Sequence, residues 1–410
     1  MAPPLTLRAP RDLTIPDEGS TTAREVLSLS IRALMVDLRG LLRAMPAAPD
    51  ERAEALAFTT LVEGLFSSAP GAVASLLRRP TVSVLVRCLR NALRPGGDRS
   101  QLFPLARSMR AHVAFELALL GALREPLVVT RAPAVLSSLG ARAALRIDPS
   151  HTRVTFTSHA VTVHREGGDA RVDLRDPSVF ERPYHPVEGE LVLALTDNNP
   201  LAMYEAHPDK QGNAIDLGDR SAEAWCETLR ESLALVATYL PTLRSEIDLV
   251  VQQFVPVGYD EVRHLSASYQ QSIGTIYLTL HPNLMTMTEA VIHEFSHNKI
   301  NALFELDGLL ENAFWPLYTS PVRPDPRPLH GIVLAVHAFQ PVARLYEEMI
   351  AAGHPWSRKP DFLRRFEQVK RVNREGAAVV LEHARPTAIG AGLFEEMRRW
   401  DAHYAQAPKP

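Results

Sequence analysis

Two different periods of apolar residues divide the chain. From 21 to 123 apolar residues recur every three to four positions, as in AREVLSLSIRALMVDLRGLLRAM, which predicts amphipathic helices. Between about 146 and 195 the period becomes two in TRVTFTS and AVTVHRE, and ELVLALT is a continuous apolar run, so this part predicts short strands. The helical period returns from 221, interrupted by strand-like runs at 250–257 and 275–280.

This pattern predicts an α+β protein that is mostly helical, with a small strand-containing region, rather than a jelly-roll barrel. We expect an extended lead-in at 1–20 and an N-terminal helical region at 21–140. A strand-containing region with a long polar loop follows at 141–220. The last part, 221–410, is expected to be a helical metal-binding catalytic domain.

The most informative stretch is TEAVIHEFSHNK, which holds His293, Glu294 and His297 in the order H-E-x-x-H. Positions four apart lie on one face of a helix, so the two imidazoles can bind one metal ion from the same side. Glu294 is turned by about 100° from His293, beside the face where a water or substrate would lie. We interpret the motif as a metal site rather than a chance surface pair, because it follows the apolar run 275–280.

Local signals delimit the helix that carries the motif. No proline or glycine occurs from 288 to 306, Thr288 is the predicted N-cap, and Glu289 suits the first turn. A second long apolar helix is predicted at 329–349, after a link with four prolines between Pro321 and Pro328 that favours a stiff extended path. We expect the metal-binding helix to pack against this later helix.

Two histidines do not complete a metal site. The longer motif H-E-x-x-H-x-x-G-x-x-H is excluded, because Ile300 and Leu303 stand where that motif needs Gly and His. A thermolysin-like site takes a Glu from a following helix. Glu305 and Glu311 come only 8 and 14 residues after His297, which is too soon for a returning helix.

The remaining third-ligand candidates are two histidines of the second helix. His330 and His337 are seven residues apart, about two turns, so they share a face. Either could complete a three-histidine site while the other supports a ligand from behind. We favour His337, because it lies deeper in the apolar run GIVLAVHAF. The alternative for each is an ordinary core histidine with a hydrogen-bond partner.

Two arginines lie in the proline-rich link, and a polar segment precedes the metal-binding helix. A guanidinium held on a stiff path, as at Arg323 and Arg327, suits bidentate carboxylate binding, although a solvated pair of arginines is an equal alternative. The polar segment 258–272 either lines a pocket or covers the end of a sheet.

Composition excludes several classes of protein. A net charge of -3 and a pI near 6.6 give no basic field for nucleic acid. With Cys88 and Cys226 as the only cysteines, a disulfide scaffold, a cysteine-based zinc site and an iron–sulfur cluster are excluded. No run approaches the ~20 apolar residues of a membrane span, and the first residues lack a signal pattern. We expect a cytoplasmic protein without a nucleic-acid or membrane partner; the sequence leaves its oligomeric state open.

The stretches HEFSHNK, YTSPVRPDPRPLHG and LAVHAF together resemble the HExxH-motif family of 2-oxoglutarate-dependent peptide β-hydroxylases, which is associated with peptide natural-product biosynthesis. The likeness runs from about 191 to 346 and includes NNPLAMYEAHP and SASYQQSIGTIYL; it is vague over 1–150. Members of this family are unlike the jelly-roll oxygenases in fold.

The resemblance implies a specific cofactor set. It implies mononuclear iron(II) held by His293, His297 and a downstream histidine. It also implies a basic residue on the carboxylate of 2-oxoglutarate, for which Arg323 and Arg327 are the matching candidates. Many members carry a polar residue at the position where this chain has Leu334.

Three hypotheses about function follow. The leading one is an iron(II)- and 2-oxoglutarate-dependent oxygenase that hydroxylates a side chain of a peptide substrate, such as a ribosomal precursor peptide. Three protein ligands leave about three positions on an octahedral iron for the keto acid and oxygen. The alternative enzyme is a zinc metallopeptidase with Glu294 as general base. The third hypothesis is a non-catalytic peptide- or partner-binding protein with a structural metal site.

Overall fold

A computed structural model describes residues 7–147, 153–204, 212–321 and 325–406. The chain is 54% helical and contains several small sheets, so the prediction of a mostly helical α+β protein is confirmed. The α-helices of the described residues are α1 (Thr22–Ala44), α2 (Arg52–Ser68), α3 (Pro70–Arg78), α4 (Pro80–Leu93), α5 (Leu102–Leu119), α6 (Ala222–Tyr239), α7 (Pro241–Val250), α8 (Leu284–Phe304), α9 (Leu329–Ala351), α10 (Pro360–His383) and α11 (Gly390–Gln406). The strands are β1 (Leu127–Thr130), β2 (Val135–Ser138), β3 (Ala143–Arg146), β4 (Arg153–Thr157), β5 (Ala160–Val163), β6 (Ala170–Asp173), β7 (Tyr184–Glu188), β8 (Leu191–Ala194), β9 (Gln253–Tyr259), β10 (Ser266–Ala267), β11 (Thr275–Leu280), β12 (Leu317–Tyr318) and β13 (Arg327–Pro328).

The first half of the chain has its own hydrophobic core. Helices α1 to α5 and strands β1 to β6 all contribute side chains to this core. Strands β1, β4, β5 and β6 form an antiparallel sheet in the order β1-β4-β5-β6, and β2 pairs with β3. Strand structure therefore begins at Leu127, about 20 residues before the change of period that marks it in the sequence.

A five-stranded sheet in the order β10-β11-β9-β8-β7 supports the H-E-x-x-H helix. Strand β9 runs parallel to β8 and β11, whereas β7 and β10 are antiparallel to their neighbours. Every residue of β11 is buried, including the hydroxyl-bearing Thr275, Tyr277 and Thr279, so both faces of this strand are covered. Helix α8, which carries the H-E-x-x-H motif, starts four residues after β11 of this sheet ends.

The start of α8 corrects one prediction. The helix begins at Leu284, and the cap is Asn283, whose side-chain oxygen accepts the N–H groups of the second and third helical residues. Thr288, the predicted cap, lies inside the helix and donates its hydroxyl to the Leu284 carbonyl at 2.8 Å. The prediction was wrong because a threonine can satisfy its hydroxyl within a helix, so it does not by itself mark a helix start.

Helix α9 packs against α8, as the two apolar patterns predict, and also against α10. Side chains of α8 such as Ile292 and Phe295 share one core with Val333 and Val336 of α9. Pro341 lies inside α9, which nevertheless continues to Ala351.

The lead-in enters the hydrophobic core that α8 and α9 share, which is the second core of the chain. Leu13 and Thr14 have no exposed surface, and the backbone N–H groups of Thr14 and Ile15 donate to the carboxyl group of Glu396 on α11 at 2.9–3.0 Å. The Thr14 hydroxyl also lies 2.9 Å from Nδ1 of His337 on α9, so the lead-in contacts both α9 and α11.

No single helix in the described part of the chain has both the length and the apolar composition needed to cross a membrane. One bent pair, Pro49–Ser68 with Pro70–Arg78, meets that criterion together, with an angle of 112° between its two parts.

Candidate metal centre

Helix α8 brings the three motif residues together. The Nε2 atoms of His293 and His297 are 2.9 Å apart, and the two rings are perpendicular, with centroids 4.5 Å apart. The ligand atoms of these two residues and of Glu294 all lie within 4.8 Å of one another. Among the residues that the structure describes, no other group of three or more potential ligands meets this criterion.

The spacing of the two nitrogens fits one shared ion. Nitrogens about 2.1 Å from a metal lie about 3.0 Å apart at a right angle and about 3.4 Å apart at the tetrahedral angle. The observed 2.9 Å between the Nε2 atoms of His293 and His297 is closer to the right angle of an octahedral ion. The same distance is also that of a hydrogen bond between two neutral imidazoles.

Burial keeps both imidazoles neutral near pH 7. It lowers the pKa of His297, and it lowers the pKa of His293 well below the usual value, with a further contribution from the charge of His297. The Nδ1 atom of each ring is buried without a hydrogen-bond partner among the described residues. Neutral imidazole is the form that binds metal, so the donor set fits a metal ion without the cost of removing protons.

Glu294 is fixed by the polar segment that precedes the helix. Its Oε1 atom accepts a hydrogen bond from the Ser266 hydroxyl at 2.7 Å, while Oε2 is buried without a partner in the described chain. The carbonyl of Glu294 accepts from Ser268 and Asn298, and Asn298 also accepts the N–H of Gly274 at 2.6 Å. The segment 258–272 therefore contributes to the site through two of its serines.

His337 lies behind the cluster rather than inside it. The side chain has no exposed surface, and its Nδ1 atom is 2.9 Å from the hydroxyl of Thr14. Burial, followed by the charges of Lys299 and His297, lowers its pKa well below the usual value, and the carbonyl of Ser296 opposes this only in part. His337 thus lies close to α8, but it does not join the 4.8 Å group, and its role as third ligand stays a prediction.

His330 occupies a different environment, between two aromatic rings. Its ring centroid is 4.5 Å from that of Phe304 and 5.2 Å from that of Phe314. Burial lowers its pKa, and the charge of His297 adds to the effect. His330 also lies outside the 4.8 Å group.

One of the two candidate arginines can be placed. Arg323 lies outside the described residues. Arg327 is in β13, where its Nε atom is 2.9 Å from a carboxylate oxygen of Asp325 and its side chain is 30% exposed. The Arg327 position therefore already binds a carboxylate, and a keto acid would have to replace or share Asp325.

Glu305, which the sequence analysis considered as a third ligand, is paired with two arginines of α4. Arg90 donates to both of its carboxylate oxygens at 2.8 and 2.9 Å, and Arg87 approaches at 3.5 Å. These pairs connect α8 to α4, so Glu305 joins the two cores.

Two further neighbours of the cluster have no local signal in the sequence. The ring of Phe339 lies 4.6 Å from that of His293. Glu289 is held by Arg365 at 2.6 Å and by the hydroxyl of Tyr346 at 2.5 Å, and the charge of Arg365 contributes to the lowered pKa of His293. These contacts join α8 to α9 and α10, whose relative positions no local pattern encodes.

Comparisons with known proteins assign no family. No protein-family model matches the chain, and no curated protein gives a significant match.

Proposed function

We propose that the protein is an iron(II)- and 2-oxoglutarate-dependent oxygenase that hydroxylates a side chain of a peptide. The proposal rests on the neutral imidazoles of His293 and His297, whose Nε2 atoms lie 2.9 Å apart on the H-E-x-x-H helix. The resemblance of the motif, the DPRP stretch and LAVHAF to the peptide β-hydroxylases supports oxygenation over hydrolysis.

Each residue has a definite task in this proposal. His293 and His297 would hold the iron, with a third ligand from α9, for which His337 is favoured over His330. When bound, iron and 2-oxoglutarate supply the oxidation, in which oxygen and the keto acid yield succinate, carbon dioxide and the hydroxylated side chain. Arg323 or Arg327 would bind the distal carboxylate of the keto acid, which at Arg327 would replace or share Asp325.

The surroundings of the cluster support the same task. Phe339 packs against the His293 ring, so an apolar side chain covers part of the cluster. Ser266 holds Glu294 in a single position beside the two imidazoles, so the carboxylate is fixed before a ligand arrives.

The test combines metal analysis with product analysis. The full chain would be reconstituted with iron(II) without air, then incubated with 2-oxoglutarate, oxygen and a mixture of short synthetic peptides. We expect iron binding, succinate release and peptides heavier by one oxygen atom. His293→Ala should abolish all three, whereas His164→Ala should abolish none, because His164 is bonded to Thr155 and Asp169 in a different sheet.

A zinc metallopeptidase is the second candidate, and the position of Glu294 favours it. The buried, unpaired Oε2 of this carboxylate belongs to the same 4.8 Å group as the two imidazoles, where a general base would lie. If the protein binds zinc, cleaves peptides and releases no succinate, it is a peptidase and the oxygenase proposal is wrong. Tight metal binding without any turnover would instead leave a binding protein with a structural metal site.

A further inference from the structure

A patch of large apolar side chains is exposed on the link between α8 and α9. Phe314 is 69% exposed, Trp315 75% and Leu317 46%. Single exposed apolar residues are common on protein surfaces, but three within four positions concentrate apolar surface on one short segment, which is a feature of binding sites. We call these three residues the aromatic patch.

The backbone that carries the aromatic patch is anchored. Asn312 donates to the carbonyl of His383 and accepts the N–H of Arg385, both at 2.9 Å. The ring of Tyr318 stacks on His383 with centroids 4.7 Å apart. Both ends of the segment are therefore attached to the same end of α10, which holds the backbone that carries the exposed side chains.

The inner end of the patch reaches the candidate metal centre through one histidine. Phe314 packs on His330, whose backbone N–H donates to the Ala313 carbonyl at 2.9 Å. His330 in turn packs on Phe304 of α8, near His297. Ring contacts therefore run without a break from Phe314 of the patch through His330 to Phe304 of α8.

The size of the patch decides what kind of partner it fits. Aromatic residues carry about 150–250 Å² each, so the exposed parts of these three side chains amount to about 400 Å². A stable interface between two protein copies needs about 800 Å² on each partner. The patch is therefore too small for a dimer interface by itself but large enough for one or two side chains of a peptide.

We propose that the aromatic patch binds a large aliphatic or aromatic side chain of the peptide substrate, a few residues from the side chain presented to His293 and His297. This inference rests on the proposed function for the identity of the partner as a peptide substrate. Phe314 and Trp315 would then select substrates by sequence, while the imidazole pair performs no selection.

The experiment selects binding peptides with the full chain. Random peptides displayed on phage would be enriched on the immobilised protein, with metal and with chelator. We expect the enriched peptides to share a large apolar residue at one position. Trp315→Ala should weaken binding of the selected peptide by about 10-fold or more, as for an aromatic anchor. Leu120→Ala, which removes a 67% exposed residue at the end of α5, should leave it unchanged.

Several outcomes would overturn the inference. If the selected peptides share no apolar residue, or if Trp315→Ala binds them as well as the parent protein does, the patch does not recognise the peptide. A dimer that becomes monomeric in Trp315→Ala would make the patch a self-association surface. A second variant, Leu317→Ser, repeats the test at the other end of the patch, and circular dichroism checks that both variants fold.

The same peptide separates this inference from the proposed function. Patch-dependent binding without succinate release or peptide oxidation would contradict the oxygenase while leaving the docking surface in place. Oxidation of the selected peptide with an unchanged KM in Trp315→Ala would contradict the docking surface while leaving the oxygenase in place.

Discussion

The hydrogen bond between Thr14 and His337 allows a sharp test of the third ligand. Thr14 is fully buried, and its hydroxyl is 2.9 Å from Nδ1 of His337. Thr14→Val keeps the shape of the side chain and the backbone bonds to Glu396, but leaves Nδ1 buried without a partner. A buried polar atom left unpaired costs about 1–3 kcal/mol, so the free energy of unfolding of the metal-free protein should fall by about 2 kcal/mol.

Metal binding adds a second loss only if His337 is a ligand. Removing a group that orients a metal-binding histidine weakens metal affinity by about 10–100-fold. Each factor of ten is about 1.4 kcal/mol of the stabilisation that a bound metal gives to the folded state. Urea unfolding with and without excess iron(II), in the absence of air, should therefore show a larger loss for Thr14→Val in the metal-bound protein.

Two matched variants control this measurement. Thr14→Ser keeps the hydroxyl and should retain most of the metal affinity. Thr81→Val removes a hydroxyl that is buried without a partner in the described structure, at a residue that is 3% exposed, so it should be neutral or stabilising. Equal losses for Thr14→Val with and without metal would mean that His337 is a core histidine. A Thr14→Val variant as stable as the parent would mean that the hydrogen bond contributes nothing.

Three further predictions address the ligands, the carboxylate and pH. His337→Ala should reduce iron affinity, measured by titration, by about 10-fold or more, and His330→Ala should reduce it less; the reverse order would exchange their roles. Glu294→Gln should keep metal affinity, and it should abolish turnover only if the protein is a peptidase that needs the carboxylate to activate water. Burial raises the pKa of Glu396 from 4.5 to about 7, so the folded protein keeps a proton that the unfolded chain releases. The stability this gives is present below pH 4.5 and is lost as pH rises through about 7, a change of about 3 kcal/mol. Glu396→Gln should flatten that slope in urea unfolding measured across this range, and an unchanged slope would assign it to other groups.

Local patterns predicted the parts of the site that lie on one element. The strand at 275–280 has the predicted bounds, because an uninterrupted apolar run ends at a polar turn on either side. The motif helix and the long helix after it were predicted from the same kind of signal, with errors of a few residues at the start of α8. The proximity of His293 to His297 follows from helical spacing alone, and their Nε2 atoms lie 2.9 Å apart in the structure.

Contacts between distant elements were beyond such patterns. Thr14 meets His337 across 323 positions, and the N–H groups of the lead-in meet Glu396 across more than 380. The lead-in was predicted as an extended, proline-rich segment, and nothing in its own sequence indicates burial against α9 and α11. Such pairs depend on how the helices pack, and the local pattern of a single sequence carries no record of that.

The choice between the two α9 histidines depends on what surrounds each ring. Positions 330, 334 and 337 share one face of the helix, and Leu334 offers no ligand atom there, so a ligand from this face must come from a turn before or after it. The ring of His330 packs against two aromatic rings, those of Phe304 and Phe314. His337 has the arrangement typical of a metal ligand, in which one ring nitrogen is held from behind by a polar group and the other is turned away from it. That other nitrogen, Nε2, is buried without a hydrogen bond of normal geometry in the described structure, although the carbonyl of Ser296 interacts with the ring. If His337 is the third ligand, a metal ion bound by His293 and His297 would give this nitrogen a partner, and the same ion would then link α8 to α9.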